Sequence, residues 1–149
     1  MTEKTLRVAV EYVKEASAVA HVRPYANKFP LSNGIDLGLV LEPLPEEGHW
    51  RVELRVAVSA RNSQDVLCFE AACAMEAIVV ARGLSPEELD QSLRFGVASS
   101  LMGSARALIT NLSSNTGYGP LVLPPIEAAR IAALAPAAQA PGGVEPSTD

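Results

Sequence analysis

The hydrophobic period of the chain changes once, at Ser85, and that change constrains the fold more than any other feature. Before it, apolar residues fall at every second position, as in strands; from Leu89 they recur every four, as on one helix face. Ser85, Pro86 and Glu88 mark the boundary chemically. A capping serine accepts the Glu88 N–H, the glutamate accepts the serine N–H in return, and Pro86 takes the first helical position, where no N–H is needed. Strands first and helices last predict an α+β domain, a four-stranded antiparallel sheet followed by two or three helices packed on one face.

The strand half divides into four runs. Leu6, Val8, Val10 and Tyr12 alternate with Arg7, Ala9 and Glu11, which predicts a strand over Leu6–Val13 buried on one face. Pro24, Pro30 and the Asn33-Gly34 pair mark a turn-rich link to a second strand carrying Ile35, Leu37, Leu39 and Leu41. Pro43, Pro45 and Gly48 precede the clearest alternation, Trp50, Val52, Leu54, Val56 and Val58 against Arg51, Glu53, Arg55 and Ser59. A fourth run, Leu67, Phe69, Ala71, Cys73, Met75, Ala77 and Val79, reads as a long return strand with room for a bulge. Its alanines are poor strand formers, so a helix over about Phe69–Val80 competes.

In the helical half, Leu89, Leu93 and Val97 stack at four-residue intervals, and Leu101, Ala105, Leu108, Ile109 and Leu112 continue the stripe. Gly96 and Gly103 are the expected break points between a first and a second helix. Gly117, Gly119 and Pro120 end the second, Leu121–Ile126 forms a loop that exposes an apolar run beside Pro124 and Pro125, and a short third helix restarts near Ile126. After Pro136 the residues are too polar and too small to offset the entropy of ordering, so 1–135 is expected as one domain and 136–149 as a disordered tail.

Chemistry is conspicuous by what it lacks. A net charge of −5 and pI near 5.0 repel nucleic-acid phosphates and favour basic protein segments. Arg51, Arg55 and Arg61, interleaved with Glu53 and followed by Asp65, read as a solvated strand face. Cys68 and Cys73 are odd-spaced in one strand, hence on opposite faces, and read as buried thiols rather than a disulfide. No leader-like start and no run of membrane-spanning length is visible, so a cytoplasmic protein is expected. His21 and His49 fall in separate loops and do not complete a zinc set with the cysteines; no metal and no cofactor is expected. Ser99, Ser100, Ser104, Ser113 and Ser114 lie in no nucleophile elbow, and Glu87, Glu88 and Asp90 suit a helix N-terminus. Gly117 and Gly119 have no P-loop lysine. An enzyme with a pocket near His49 or Ser104 is the outlying alternative, and binding through apolar shape is the leading one.

Three segments carry a resemblance. Leu101-Met102-Gly103-Ser104-Ala105-Arg106, Thr116-Gly117-Tyr118-Gly119 and Leu121-Val122-Leu123-Pro124-Pro125-Ile126 resemble, in order and without a gap, elements of SecB, the protein-export chaperone family: Leu-Phe-Pro-Tyr-Ala-Arg, Gly-x-Phe-Pro and Leu-x-Leu-x-Pro-Val-Asn-Phe. Tyr12-Val13-Lys14-Glu15-Ala16-Ser17 resembles a further element, Lys-Asp-x-Ser-Phe-Glu, so the likeness spans about Leu6 to Leu134. Gly103-Ser104 stands where the family carries Pro-Tyr, and Ala18-Val19 where it carries Phe-Glu.

The resemblance implies an ATP-independent, non-enzymatic holdase for unfolded client polypeptides, preproteins for Sec-dependent export among them. It implies a homotetramer, a dimer of dimers whose first helices are sandwiched between two sheets, with Leu89, Leu93 and Val97 at the oligomer interface. Leu101, Met102, Tyr118, Leu121, Leu123 and Ile126 would line the client groove, and Glu15 and Glu70 would contact the translocation ATPase SecA. Leu101 reads equally as core or groove, while Leu121 and Leu123, on a loop, read as groove. A chaperone dedicated to one client, such as an antitoxin of a toxin–antitoxin system, is the alternative with the same fold.

Overall fold

The computed structural model describes residues 3–135; the tail expected at 136–149 lies outside them. Strands β1 (Thr5–Ala20), β2 (Leu31–Pro43), β3 (His49–Asn62) and β4 (Leu67–Arg82) form one antiparallel sheet in the order β1-β4-β3-β2. The link from β1 to β2 therefore crosses from one sheet edge to the other, and it contains a 3-10 turn at Pro24–Ala26. β4 is a strand, not the competing helix. Flanked by β1 and β3, it satisfies its backbone on both sides, and that tertiary gain overrides the weak strand preference of alanine.

β1 runs farther than its alternation suggested, and the reason is two bulges. Register shifts between Val8 and Val10 and between Val13 and Glu15 each insert one unpaired residue. Each insertion reverses the facing of the residues after it. Val8 lies opposite Val79 on the helix-covered side, but Val10 lies opposite Ile78 and Tyr12 opposite Glu76 on the other side. The expected single buried face, Leu6, Val8, Val10 and Tyr12, is thus split, and Val8, Val10, Tyr12, Val13 and Val19 are all substantially exposed on this edge strand.

The capping box at the period change forms as read. Ser85 Oγ accepts the Glu88 N–H at 3.1 Å and Glu88 Oε1 accepts the Ser85 N–H at 3.1 Å. Helix α1 (Pro86–Gln91) passes through a π-helical turn (Ser92–Val97) into α2 (Ala98–Ser114) without interruption. The residues joining these pieces, Gln91, Val97 and Ala98, all keep right-handed helical dihedrals, so the expected breaks at Gly96 and Gly103 do not occur. One rod of about 43 Å results.

The π turn has a geometric use. Apolar residues spaced by four drift around an ideal α-helix by about 40° per step, because four residues exceed one turn of 3.6. One wider turn cancels part of that drift. Leu93, Val97, Leu101, Ala105 and Ile109 consequently all face the sheet and are at most 4% exposed. They pack on Val52, Leu54, Val56 and Val58 of β3 and Met75, Ala77 and Val79 of β4, which are equally covered. Each buried Leu or Val contributes about 1.5–3 kcal/mol before ordering costs. Helix α3 (Ala128–Ala132) closes the described chain, its end held by Arg94, whose Nη1 donates to the carbonyls of Ala132 and Ala135 at 2.8 and 2.9 Å.

Candidate functional site

The segment after α2 runs back along the rod in an extended conformation, and polar side chains of the rod satisfy its backbone. Ser113 Oγ accepts the Leu121 N–H at 2.8 Å, the Thr110 hydroxyl lies 3.2 Å from the Leu121 carbonyl, and Arg106 Nη2 donates to the Leu123 carbonyl at 3.0 Å. With its backbone paired, the strap can bury alternate side chains. Leu121 and Leu123 are 8% and 1% exposed, while Val122 between them is 70% exposed. The apolar run expected to stand open is therefore half interior. Leu101 and Met102 are buried on α2, and Ile126 packs against the core, partly covered.

Tyr118 joins this strap to the sheet. Its ring stacks on Phe69 with centroids 5.1 Å apart, and its hydroxyl donates to the Val22 carbonyl at 2.6 Å. Burial, helped by the neighbouring Cys68, pushes the phenol above its usual pKa and keeps it a donor. Gly117 makes the approach feasible: its φ is +89°, and a Cβ there would lie 2.8 Å from the Pro24 ring. The crossover loop is thereby seated against the end of α2. Beyond Pro24, Tyr25 and Phe29 project outward, 73% and 45% exposed.

Of the residues expected to line a groove, Leu101, Met102, Leu121 and Leu123 are buried in the core, and Tyr118 and Ile126 pack against it partly covered. Buried Phe69, which stacks on Tyr118, Val22, whose carbonyl Tyr118 holds, and the exposed Tyr25, Phe29 and Val122 were not expected at the site from the sequence. The Tyr25–Pro30 stretch holds the available signal, two aromatic rings in a proline-bounded loop. Leu93 and Val97, expected at an oligomer interface, are instead packed within the protomer, with Leu89 partly covered, because the rod turns this stripe to its own sheet.

The opposite face of the sheet is polar but not freely solvated as expected. Glu53 and Glu76 sit directly across the β3–β4 ladder, 3% and 6% exposed, where two carboxylates repel. Arg51 bridges them, at 2.9 Å from Glu53 and 3.0 Å from Glu76. Lys14 reaches Glu53 at 2.7 Å, Arg55 does so at 2.6 Å, and Tyr12 donates to Glu76. The second β1 bulge lets neighbouring Lys14 and Glu15 both serve this face. Burial alone would raise the Glu53 carboxyl, yet the hydrogen bonds and charges of Lys14 and Arg55 outweigh it and hold it at about 2.

Glu15 and Glu70, the expected partner contacts, lie on this same face. Glu15 is paired with Arg55 at 2.8 Å and Glu70 faces His21 at 3.7 Å. A shallow depression of about 490 Å³ beside Glu15 and Arg55 is floored by Gly38, Ala57 and Ala72.

No catalytic set assembles among the described residues. Ser104 Oγ donates to Glu11 at 2.6 Å and His49 Nδ1 lies 3.0 Å from the Glu47 carbonyl, so the two do not partner each other. No cluster of three or more His, Cys, Asp or Glu that could hold a metal occurs among the described residues. Cys68 and Cys73 are free and buried. A register shift of β4 at Cys68 breaks the simple alternation, placing Cys68 beside Tyr118 on the helix-covered side that Cys73 also faces, and burial pushes the Cys73 thiol up to about 11. No helix among the described residues is long and apolar enough to cross a membrane.

Comparison with known proteins agrees with this architecture. Residues 1–134 match the model of the SecB family, described as preprotein translocase subunit SecB, and the chain belongs to that family. It is 31% identical over 81 residues to the protein-export protein SecB of Azoarcus sp. (strain BH72), a match covering 54% of this chain and 54% of that relative, about half its length. Its fold is similar to that of the Mycobacterium tuberculosis SecB-like chaperone solved in complex with a ChAD peptide from the HigA1 antitoxin. That likeness has a TM-score of 0.68 at 15% identity, covering 82% of this chain and 91% of that one.

Proposed function

We propose that the protein is an ATP-independent holdase of the cytoplasm that binds unfolded or extended polypeptides, preproteins for Sec-dependent export among them, without cofactor or catalysis. One observation supports the reading: the crossover loop, seated against Tyr118 through Val22 and Pro24, leaves Tyr25 and Phe29 exposed, and Val122 stands exposed on the strap whose Leu121 and Leu123 enter the core with Leu101 and Met102. In this reading the buried residues and Ile126 shape the groove while the exposed ones touch the client. Each apolar client side chain buried there contributes about 1.5–3 kcal/mol before ordering costs.

Single contacts of that size hold a chain only weakly, so several linked grooves are part of the proposal. The unpaired, apolar edge of β1 and the exposed outer side of the rod around Phe95, Gly96 and Gly103 are the surfaces through which a homotetramer, a dimer of dimers, would form. SecA would contact the polar face at Glu15 and Glu70, displacing Arg55 and His21 from them.

Light scattering of a refolding client tests the reading. Aggregation is suppressed at one tetramer per client if it is right, and unsuppressed aggregation overturns it. The antitoxin peptide bound by the mycobacterial relative favours a second reading, a holdase dedicated to one client. A pulldown that returns one dominant partner selects it over the general chaperone.

A further inference from the structure

The crossover loop differs in charge from the rest of the molecule. Residues 16–35 contain no Asp or Glu but include Arg23 and Lys28, in a chain whose net charge is −5. Both cations are exposed, and among the described residues neither has a carboxylate within ion-pair distance, a state they share with Arg7, Arg82, Arg106 and Arg130 but hold here beside exposed rings. The acids at this end of the sheet have other neighbours: Glu70 lies 3.7 Å from His21 and Asp65 lies 3.9 Å from Arg61.

These cations flank the exposed rings of Tyr25 and Phe29 in a loop that is built. The Asn27 side chain donates to the Phe29 carbonyl at 2.9 Å and accepts from the Asn62 amide at 3.2 Å, which pins the loop to the end of β3. The backbone that carries rings and charges is thus held before binding, which leaves only side-chain ordering to be met. We propose that the crossover loop makes the groove selective for extended segments in which Asp or Glu neighbours apolar side chains, the rings taking the apolar residues and Arg23 and Lys28 the carboxylates.

This inference rests on the client-groove reading and runs against the net charge, which by itself favours basic segments. Local charge prevails because fields of exposed groups are screened beyond about 8–10 Å at ordinary ionic strength. A bound segment feels the loop more than the distant carboxylates.

Two labelled peptides with identical Leu, Phe and Val positions, flanked by Asp and Glu in one and by Lys and Arg in the other, are titrated with the full chain by fluorescence anisotropy. The acidic peptide is expected to bind about ten-fold tighter at low salt, from two pairs gained against two repulsions. Its advantage should vanish near 1 M salt, where the screening length is about 3 Å. The Arg23→Glu/Lys28→Glu double variant, both positions being exposed, should fold normally by circular dichroism and reverse the preference. Equal binding of both peptides, or tighter binding of the basic one, overturns the selectivity and leaves the groove standing. An acid preference that survives the double substitution overturns its assignment to this loop. Binding of neither peptide overturns the groove reading and the selectivity with it.

Discussion

Residues 121–126 and residues 22–30 are both proline-bearing apolar connections, and they meet at Tyr118, yet they dispose of their apolar side chains in opposite ways. Leu121 and Leu123 are taken into the core, while Tyr25 and Phe29 are left in solvent. The difference lies in the backbone. Ser113, Thr110 and Arg106 offer the strap a row of polar partners along the rod, so its peptide groups can enter a covered site. Among the described residues, the crossover loop is hydrogen-bonded to the rest of the molecule only at Val22, by Cys68 and Tyr118, and at the Asn27 side chain, by Asn62; between them its bonds are internal, in a turn that faces outward. Whether an apolar loop is core or binding surface is decided by who pairs its backbone.

The largest test of this contrast is Leu123→Ala against Val122→Ala. Loss of the buried leucine should cost about 2–5 kcal/mol in urea unfolding, whereas the exposed valine should change stability by less than about 0.5 kcal/mol. Equal costs would break the in–out assignment. Acid comes next. Among the described residues no carboxylate anchors either connection, so falling pH should weaken the sheet network before it loosens either one. Glu53 has a folded pKa depressed to about 2, and its stabilisation is complete above the unfolded value near 4.3 and is lost as pH falls toward 2. Denaturant midpoints between pH 5 and 2 should show a loss on the order of 2 kcal/mol that Glu53→Gln no longer shows.

Smaller effects sharpen the comparison. Ser113→Ala leaves the buried Leu121 N–H without its acceptor and should cost about 1–3 kcal/mol, with hydrogen exchange at Leu121 accelerated more than at β3 amides. Tyr25→Ser with Phe29→Ser should leave stability within about 0.5 kcal/mol and yet reduce aggregation suppression several-fold. If stability fell instead and holding did not, the rings would be structural and the crossover loop would resemble the strap.

The sheet and the start of the rod were legible because their signals are local. The capping box needs only Ser85, Pro86 and Glu88, and the alternation from Trp50 to Val58 states which residues face the helices. β1 was read short because a bulge inverts the alternation at a place where no residue type announces it. Gly96 and Gly103 misled for a related reason: glycine weakens an isolated helix, but a rod packed along a whole sheet tolerates two of them on its open side. In the candidate site, Tyr118 is marked in the sequence only by the family resemblance and the strap leucines by their place in a loop, whereas Phe69 sits in an alternating strand and nothing local marks its stacking on Tyr118.

By itself the sequence determined an α+β chain with a capped helical half and a SecB-like order of elements, because each depends on near neighbours along the chain. Only the tertiary structure decided which apolar residues are surface. It turned Leu93 and Val97 inward, folded Leu121 and Leu123 under the rod's polar side chains, and gathered Glu53, Glu76, Arg51 and Lys14 into one covered network. Exposure depends on groups that meet across long stretches of chain, and burial of a backbone requires partners that local periodicity does not encode.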